Sequence, residues 1–414
     1  MAFLYRIFVF LMRLGMRIGS VFNLKLRKGV QGREWNEAVL RKVFSSEDRV
    51  IWMHAASLGE YEQGLPVLEK LKAGYPTYKI LVTFFSPSGY DPVIKKNTIA
   101  DAVCYLPFDD KKSVGRFLAC FKPVIFFTVK YDYWYRLFEE LKKREVKIYV
   151  VSALFYEKQM FFKPYGHWFV QRLMRDVDWF FHQTSQSLSL ARTLGLSLGS
   201  ISGDTRYDRV RQIASKAEAI EGIDDYRREC KLVVFGSSWQ AEEEVALAVA
   251  KKHGVKIILA PHDLKRVEHL RRMFPEALCY SQMSRWTALQ KKEAKVLIID
   301  SIGLLSRLYR YADLAVVGGG FHSAGLHNIL EAAAFGVPVL FGSHYRKNPE
   351  ADALIESGGA KAFSETDELS AFASVLLGDT ARLEAMAKAS FDFVEGQPVS
   401  SDRIFEKIRL QNND

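Results

Sequence analysis

Short apolar runs alternate with amphipathic stretches along most of the chain. RVIWMHAAS (49–57), KILVTFF (79–85), ADAVCYLPF (100–108), PVIFFTV (123–129) and KIYVVSAL (147–154) read as strands. Between them GEYEQGLPVLEKLKAGY, SVGRFLACFK and YRLFEELKKRE carry helical periodicity. Such βαβ alternation predicts a parallel sheet covered by helices. The first set ends near WFFHQT and GSISGDTRYDRV. Residues 211–228, QIASKAEAIEGIDDYRRE, are polar and without a strand pattern, and read as a linker. A second set follows in KLVVFGSSW, VKIILAPH, KVLIID, LAVVGGGF and VPVLFG. The expected organisation is an N-terminal segment 1–28, a Rossmann-like domain 29–210, the linker, and a second Rossmann-like domain 229–414. Its last helix is free to pack back on the first domain. Ligands of such sheets sit beyond the strands' carboxyl ends, which in a two-domain chain points to the cleft between the halves.

The first residues, MAFLYRIFVFLMRLGMRIGSVFNLKLRKG, resemble a signal peptide until the charges are placed. Arg6, Arg13 and Arg17 interrupt the apolar run, and no small-residue cleavage site follows. On a helix they fall within about 40° of one another, opposite a face of Phe, Leu, Ile, Met and Val. That pattern predicts a helix lying in a bilayer interface, with Lys25, Arg27 and Lys28 extending the charge toward anionic headgroups. A core-packing helix and a tilted span are the other readings. A span is costly, because each arginine near the bilayer centre costs roughly 2.5–3.5 kcal/mol.

A net charge of +10 favours anionic partners. The four cysteines are scattered without CxxC pairing and the nine histidines form no HExxH-like cluster. Neither a disulfide framework nor a metal site is expected, and a reducing compartment fits best. A nucleic-acid-binding protein is disfavoured: the basic residues gather at the N-terminus and no RNP, KH or helix-turn-helix signature is present.

Candidate chemistry lies where strands end in small-residue turns. In VVGGGFHSAGLHNILEAAAFGVPVLFG, Gly319, Gly320 and Gly325 let the backbone turn sharply. A helix start near Asn328 would offer N–H donors and a positive dipole end to an anion. Glu331, about one turn in, can accept from ribose hydroxyls. HAASLGEYEQG contributes His54, Ser57, Gly59 and Glu60 at a second helix start, and TFFSPSGYD contributes Ser86 with Ser88 and Gly89. VFGSSWQAEEE places Gly236, Ser237 and Ser238 before an acidic helix start, suited to phosphate. Arg206 in SGDTRYDR offers a guanidinium that pairs bidentately with phosphate. Each has a bland alternative: a plain turn, an N-cap, a dipole-compensating acid or a surface arginine.

Six motifs in order, GR at Gly32–Arg33, HAASLGE, VTFFSPSG, GDTRYD, FGSSWQAEEE and the glycine-rich segment, resemble the Kdo transferases (3-deoxy-D-manno-octulosonate transferases) over nearly the whole chain. The resemblance implies an α/β GT-B glycosyltransferase, two Rossmann-like domains facing across a cleft. It implies CMP-Kdo as donor, a phosphorylated, acylated lipid A precursor as acceptor, inversion, no metal or other cofactor, and the cytoplasmic face of an inner membrane. Arg206, Gly236, Ser237, Ser238, Pro261, His262, Gly319, Gly320, Gly325, Asn328 and Glu331 would then serve the donor. His54, Ser57, Gly59 and Ser86 would serve the acceptor.

In that family the catalytic base is a Glu that follows a Gly and precedes an Arg. Here GREWNEAVLRKVF offers Glu34 and Glu37 instead; Glu37 is preferred, and Glu60 is the second candidate. Other departures are GLHN at Gly325–Asn328, VKYDYW at 129–134 where many members carry Glu-Thr-Glu, and Pro261-His262-Asp263 where many carry Pro-Arg-His. A GT-B transferase using a UDP- or GDP-sugar, and a non-catalytic lipid-binding relative, are the competing readings.

Overall fold

The computed structural model describes residues 2–95, 98–323 and 325–412. The chain divides into two compact units, residues 1–209 with 398–414, and residues 210–397. Each is built on a seven-stranded sheet in which every pairing is parallel.

The first sheet holds β1 (Arg49–Ala55), β2 (Lys79–Phe84), β3 (Ala102–Tyr105), β4 (Lys122–Val129), β5 (Lys147–Ala153), β6 (Trp179–His182) and β7 (Gly199–Ile201), in the order β3-β2-β1-β4-β5-β6-β7. Its central strands are buried along almost their whole length, as expected where helices cover both faces. Trp52, Phe117, Phe126 and Phe138 fill one layer, and Met53, Leu68, Phe84 and Phe127 the other. β6 and β7 lie beyond the expected set, in the segments WFFHQT and GSIS at which the first set was expected to end.

The second sheet holds β8 (Lys231–Ser238), β9 (Val255–Pro261), β10 (Leu278–Cys279), β11 (Val296–Ile298), β12 (Leu314–Val317), β13 (Val339–Gly342) and β14 (Ala360–Phe363), in the order β10-β11-β9-β8-β12-β13-β14. In each sheet the chain first builds one half from a central strand and then starts the other beside it. The switch points are β1/β4 and β8/β12.

The N-terminal segment is longer than expected. α1 (Ala2–Gly19) is followed by a turn and by α2 (Leu24–Val43), whose N-cap Asn23 accepts from the Lys25 and Leu26 N–H groups. α2 carries Gly32 through Glu37 and covers β3, the edge strand. The Asn36 side chain donates to the Tyr105 carbonyl (2.7 Å) and accepts from its N–H (3.2 Å). The exposed ladder of that edge is thereby satisfied by a helix side chain. α1 docks through Tyr5, whose hydroxyl donates to Asp109 (2.5 Å), through buried Val9, and through Arg13 beside Asp110. Phe3, Leu4, Ile7, Phe10, Leu11, Leu14 and Ile18 are exposed. No single described helix is long and apolar enough to cross a membrane; α1 and α2 pass such a test only as a pair bent by 118°.

The expected linker 211–228 is not a spacer. The helix Thr205–Ser215 runs into it and the helix Ile223–Arg227 lies inside it. Ile220, Ile223 and Tyr226 are buried in the second unit, and the Tyr226 hydroxyl reaches the Ile257 and Lys295 carbonyls, both at 2.8 Å. Its polar composition hid three apolar anchors. At the other end the helix Ser400–Asn412 packs on α3 (Leu58–Gly74) of the first unit. Its start is held by Asp208, which accepts from the Ser400 and Ser401 N–H groups. A solvent-exposed spacer would tolerate Tyr226→Ala. The buried phenol instead predicts a loss of about 3–5 kcal/mol, read from urea unfolding; an unchanged midpoint would contradict this packing.

Candidate functional site

The N-terminal cluster gathers at the β1/β4 switch point. His54, near the end of β1, is fully buried, with Nδ1 3.0 Å from Thr83 O and Oγ1 and Nε2 2.7 Å from Asp132. It is thus enclosed by protein groups, whereas the resemblance assigned it to the acceptor. Ser57 is the N-cap of α3, and its hydroxyl donates to the carboxylate of Glu60 one turn on. Lys130, at the end of β4, sits 3.5 Å from the other Glu60 oxygen and holds a left-handed backbone (φ 63°). Non-glycine residues in that region are strained, and such strain clusters at functional edges. The motif VKYDYW thus supplies Lys130 to Glu60 and Asp132 to His54. Gly59 is exposed, and a Cβ there would meet only Ser57 Oγ at 3.7 Å. Ser86 is the half-buried N-cap of the next helix, accepting from the Ser88 N–H.

Glu37 lies elsewhere, on α2, half-buried and 3.3 Å from Arg116; Glu34 beside it is exposed. The residue that follows Gly32 is Arg33. Its guanidinium donates to the Gly29, Leu106 and Phe85 carbonyls (2.7, 2.8 and 2.9 Å) and packs over the Phe85, Tyr105 and Phe108 rings. Burial lowers its pKa to about 10, so it stays charged at neutral pH. At the position after Gly32, where the resemblance implied a glutamate, the chain thus holds a cation fully engaged with carbonyls and rings.

The C-terminal cluster gathers at the β8/β12 switch point. The glycine turn Gly318–Gly320 follows β12 and is shaped by packing. A Cβ on Gly318 would lie 2.1 Å from the Ser237 carbonyl oxygen, and one on Gly320 2.5 Å from the Gly342 nitrogen. Gly319 has φ 91° and donates its N–H to Glu242 (3.0 Å). Gly236 faces Tyr309, where a Cβ would clash with the hydroxyl. These glycines bring strand ends together, so close backbone packing accounts for them without a ligand. Ser237 is left-handed (φ 51°) and Ser238 is buried.

The helix expected at Asn328 is a single turn, Leu330–Ala333, ended by Gly336 in left-handed geometry. Asn328 itself satisfies that start: its Oδ1 accepts from the Leu330 N–H, and its Nδ2 donates to Glu331 (both 3.1 Å). The dipole argument for anion binding there is correspondingly weak, since a macrodipole needs length. Arg206 is engaged by its own chain. It belongs to the first unit and is bound to Asp204, with Nε at 2.8 Å and Nη2 at 2.7 Å.

The sequence reading missed an aromatic stack at this edge. Trp239 stacks on His262 and on His322, ring centroids 4.6 Å apart in both pairs, and donates Nε1–H to His327 (3.4 Å). Burial, with His262 nearby, lowers the His327 pKa to about 4, so it is a neutral acceptor at pH 7. The signal was present as Trp239 beside the serine turn, but nothing local joins it to histidines about 23 and 83 residues on, because the sheet order makes that juxtaposition. Two pockets of about 430 Å³ flank the stack. One is lined by Pro261, His262, Ser301 and Ile302, the other by Trp239, Gln240, Arg266 and His322. Both fall in the size range of small-molecule sites. Gly325 (φ 95°) lies beside the loop carrying His344 and Lys347.

Two parallel-sheet α/β domains, with polar clusters at the carboxyl ends of their switch-point strands, define the GT-B class. The chain is similar in fold to UDP-GlcNAc 2-epimerase from Neisseria meningitidis bound to UDP-GlcNAc: TM-score 0.61, 16% identity, 87% of this chain and 99% of that one. A similar likeness holds to MnaA of S. aureus in a co-structure with UDP: TM-score 0.58, 15% identity, 88% and 97%. Residues 32–209 match the family described as 3-deoxy-D-manno-octulosonic-acid transferase (kdotransferase). Relatives carrying that name include one from Aquifex aeolicus, 26% identical over 78% of this chain and 85% of its own. Another, from Chlamydia pneumoniae, is 27% identical over 88% and 85%. By that match and those relatives the chain is similar to the Kdo transferases over most of its length, and the activity supported at that level is glycosyl transfer.

Gly320→Ala should destabilise the C-terminal unit by about 1–3 kcal/mol, because the atoms it meets are backbone and cannot yield. Gly115→Ala, with nothing within 4 Å in a helix, should stabilise by about 0.5–1 kcal/mol. Equal effects in thermal unfolding would contradict this account of the turn.

Proposed function

We propose that the protein transfers Kdo from CMP-Kdo to a phosphorylated, acylated lipid A precursor at the cytoplasmic face of an inner membrane, with inversion. The observation that carries the reading is the pairing of a proton-accepting carboxylate, Glu60, with one switch point and an aromatic, hydroxyl-rich edge with the other. Glycosyl transfer requires both: a group to take the acceptor's hydroxyl proton, and a site for the nucleotide and its leaving phosphate.

Glu60 is the general base in this reading. It lies at the carboxyl edge of the sheet with Lys130 and Ser57 around it. Glu37 pairs with Arg116 away from that edge, and the position after Gly32 is a cation. The proton leaves the acceptor hydroxyl for a Glu60 oxygen. The hydroxyl oxygen bonds to the anomeric carbon as the bond to the CMP phosphate breaks. Lys130 holds the carboxylate in place, and Asp132 orients His54 behind it. On the donor side Trp239 with His262 and His322 forms a flat surface suited to a nucleobase. Ser237 supplies a hydroxyl and an N–H toward phosphate, and Glu331 accepts from ribose.

The exposed apolar face of α1, with Arg6 and Arg17 on its flank, suits the membrane interface. The docking of α1 through Tyr5, Val9 and Arg13 leaves that apolar face outward.

The test is CMP release from CMP-Kdo with a lipid A precursor in detergent. Glu60→Gln should lower kcat by about 10²–10⁴, whereas Glu37→Gln should change it by less than about tenfold. Removing residues 1–22 should release the protein from membranes. Turnover with a UDP-sugar but not with CMP-Kdo would overturn the donor, and full activity in Glu60→Gln would overturn the base.

A further inference from the structure

A pocket of about 200 Å³ lies between α1, α2 and the helix Lys111–Leu118, lined by Arg13, Arg17, Arg33, Arg116, Glu37 and Phe108 among others. It is far larger than one water needs and smaller than the roughly 300–1,000 Å³ of a site for a whole drug-sized ligand. Its size fits one polar group of a larger molecule.

Its charge is cationic and incompletely neutralised. Four guanidinium groups line it with two carboxylates, Glu34 and Glu37, and Asp110 pairs with Arg13. Arg33 has no carboxylate partner, only carbonyls and rings. Arg17 makes no ion pair among the described residues. The Arg13 Nε–H is buried and unpartnered, and its one ion pair, to Asp110, is long at 3.3 Å. Arg116 reaches Glu37 at the same distance. An unsatisfied buried donor costs about 1–3 kcal/mol, and an anion entering here would recover part of it.

The pocket also has a direction. At about 100° per residue, the side chains of Arg13 and Arg17 fall between the docked side of α1 and its exposed apolar side, next to Phe10 and Leu14. An anionic group seated among the arginines leaves any attached hydrocarbon beside that apolar strip.

We propose that this pocket is a binding site for a phosphate monoester carried on an apolar tail, and that it holds the acceptor's phosphate during transfer. The second half of that statement rests on the function proposed above; the first does not. Guanidinium groups from α1 and the helix Lys111–Leu118 engage the phosphate oxygens, the charge of Arg33 on α2 adds to the field there, and the apolar strip of α1 receives the tail.

The full chain in detergent is titrated calorimetrically with dihexanoyl phosphatidic acid, dihexanoyl phosphatidylcholine and inorganic phosphate. Phosphatidic acid should bind at least about tenfold more tightly than either other probe, the size of one charge-assisted hydrogen bond. Arg17→Gln and Arg116→Gln, both on exposed side chains, should each weaken it at least about fivefold. Arg6→Gln, on α1 but outside the pocket, should change it less than about twofold. Equal binding of phosphatidylcholine or of inorganic phosphate would overturn the site, as would an Arg6→Gln loss as large as that of Arg17→Gln. In the transfer assay the two pocket variants should raise the acceptor KM at least about fivefold and leave the CMP-Kdo KM unchanged. An unmoved acceptor KM with weakened phosphatidic acid binding would overturn the acceptor assignment and mark a bilayer-lipid site. If wild type transfers no Kdo, the proposed function falls while the titrations still decide the pocket.

Discussion

The C-terminal edge hangs on one buried carboxylate. Glu242 is fully buried and accepts from the N–H of Trp239, just after β8, and from that of Gly319, just after β12. Burial raises its pKa above the usual carboxylate range, while the two N–H groups oppose that. The two strands it joins flank the switch point. Without it, the serine turn, the tryptophan and the glycine turn would have no common anchor. The close contacts of Gly318 with Ser237 and of Gly320 with Gly342 depend on the same alignment. Three strand ends are thus fixed by one charge and by the absence of three side chains.

The N-terminal edge follows a different logic, one of compensating charges. Two cations, Arg33 after Gly32 and Lys130 after β4, stand in segments that the resemblance led one to expect to be acidic. Both are absorbed. Arg33 is enclosed by carbonyls and aromatic rings, and Lys130 turns toward Glu60. The proposed acid function therefore passes to a residue one helical turn beyond the β1 loop. Asp132 and His54 form a second, fully enclosed couple behind it. Of the departures in the sequence, VKYDYW is thus accounted for by the ion pairs it supplies to Glu60 and His54.

Much of the fold could be read from periodicity. The long strands β1, β2, β4, β5, β8 and β9 stand out as apolar runs because both faces are covered. β6, β7, β10 and β14 did not, being two to four residues long and held by neighbours rather than by their own pattern. The segment 211–228 misled through composition, since three buried residues among many polar ones leave no period. At the site, the small-residue loops were legible, but the contacts inside them were not: the glycines meet neighbouring backbone, and Arg206 pairs with Asp204. The histidine stack on Trp239 could not be read, because it joins residues that only the sheet order makes neighbours.

The account's central claim is that the β8/β12 edge holds a cytidine nucleotide. Calorimetric titration of the wild-type chain with CMP and with UMP tests it most directly. The account predicts that CMP binds at least about tenfold more tightly, the discrimination expected of a site that bonds the base's exocyclic group, and that Trp239→Ala, by removing the stacking surface, weakens the binding of both nucleotides. Equal affinity for the two nucleotides, or binding untouched by Trp239→Ala, would contradict it.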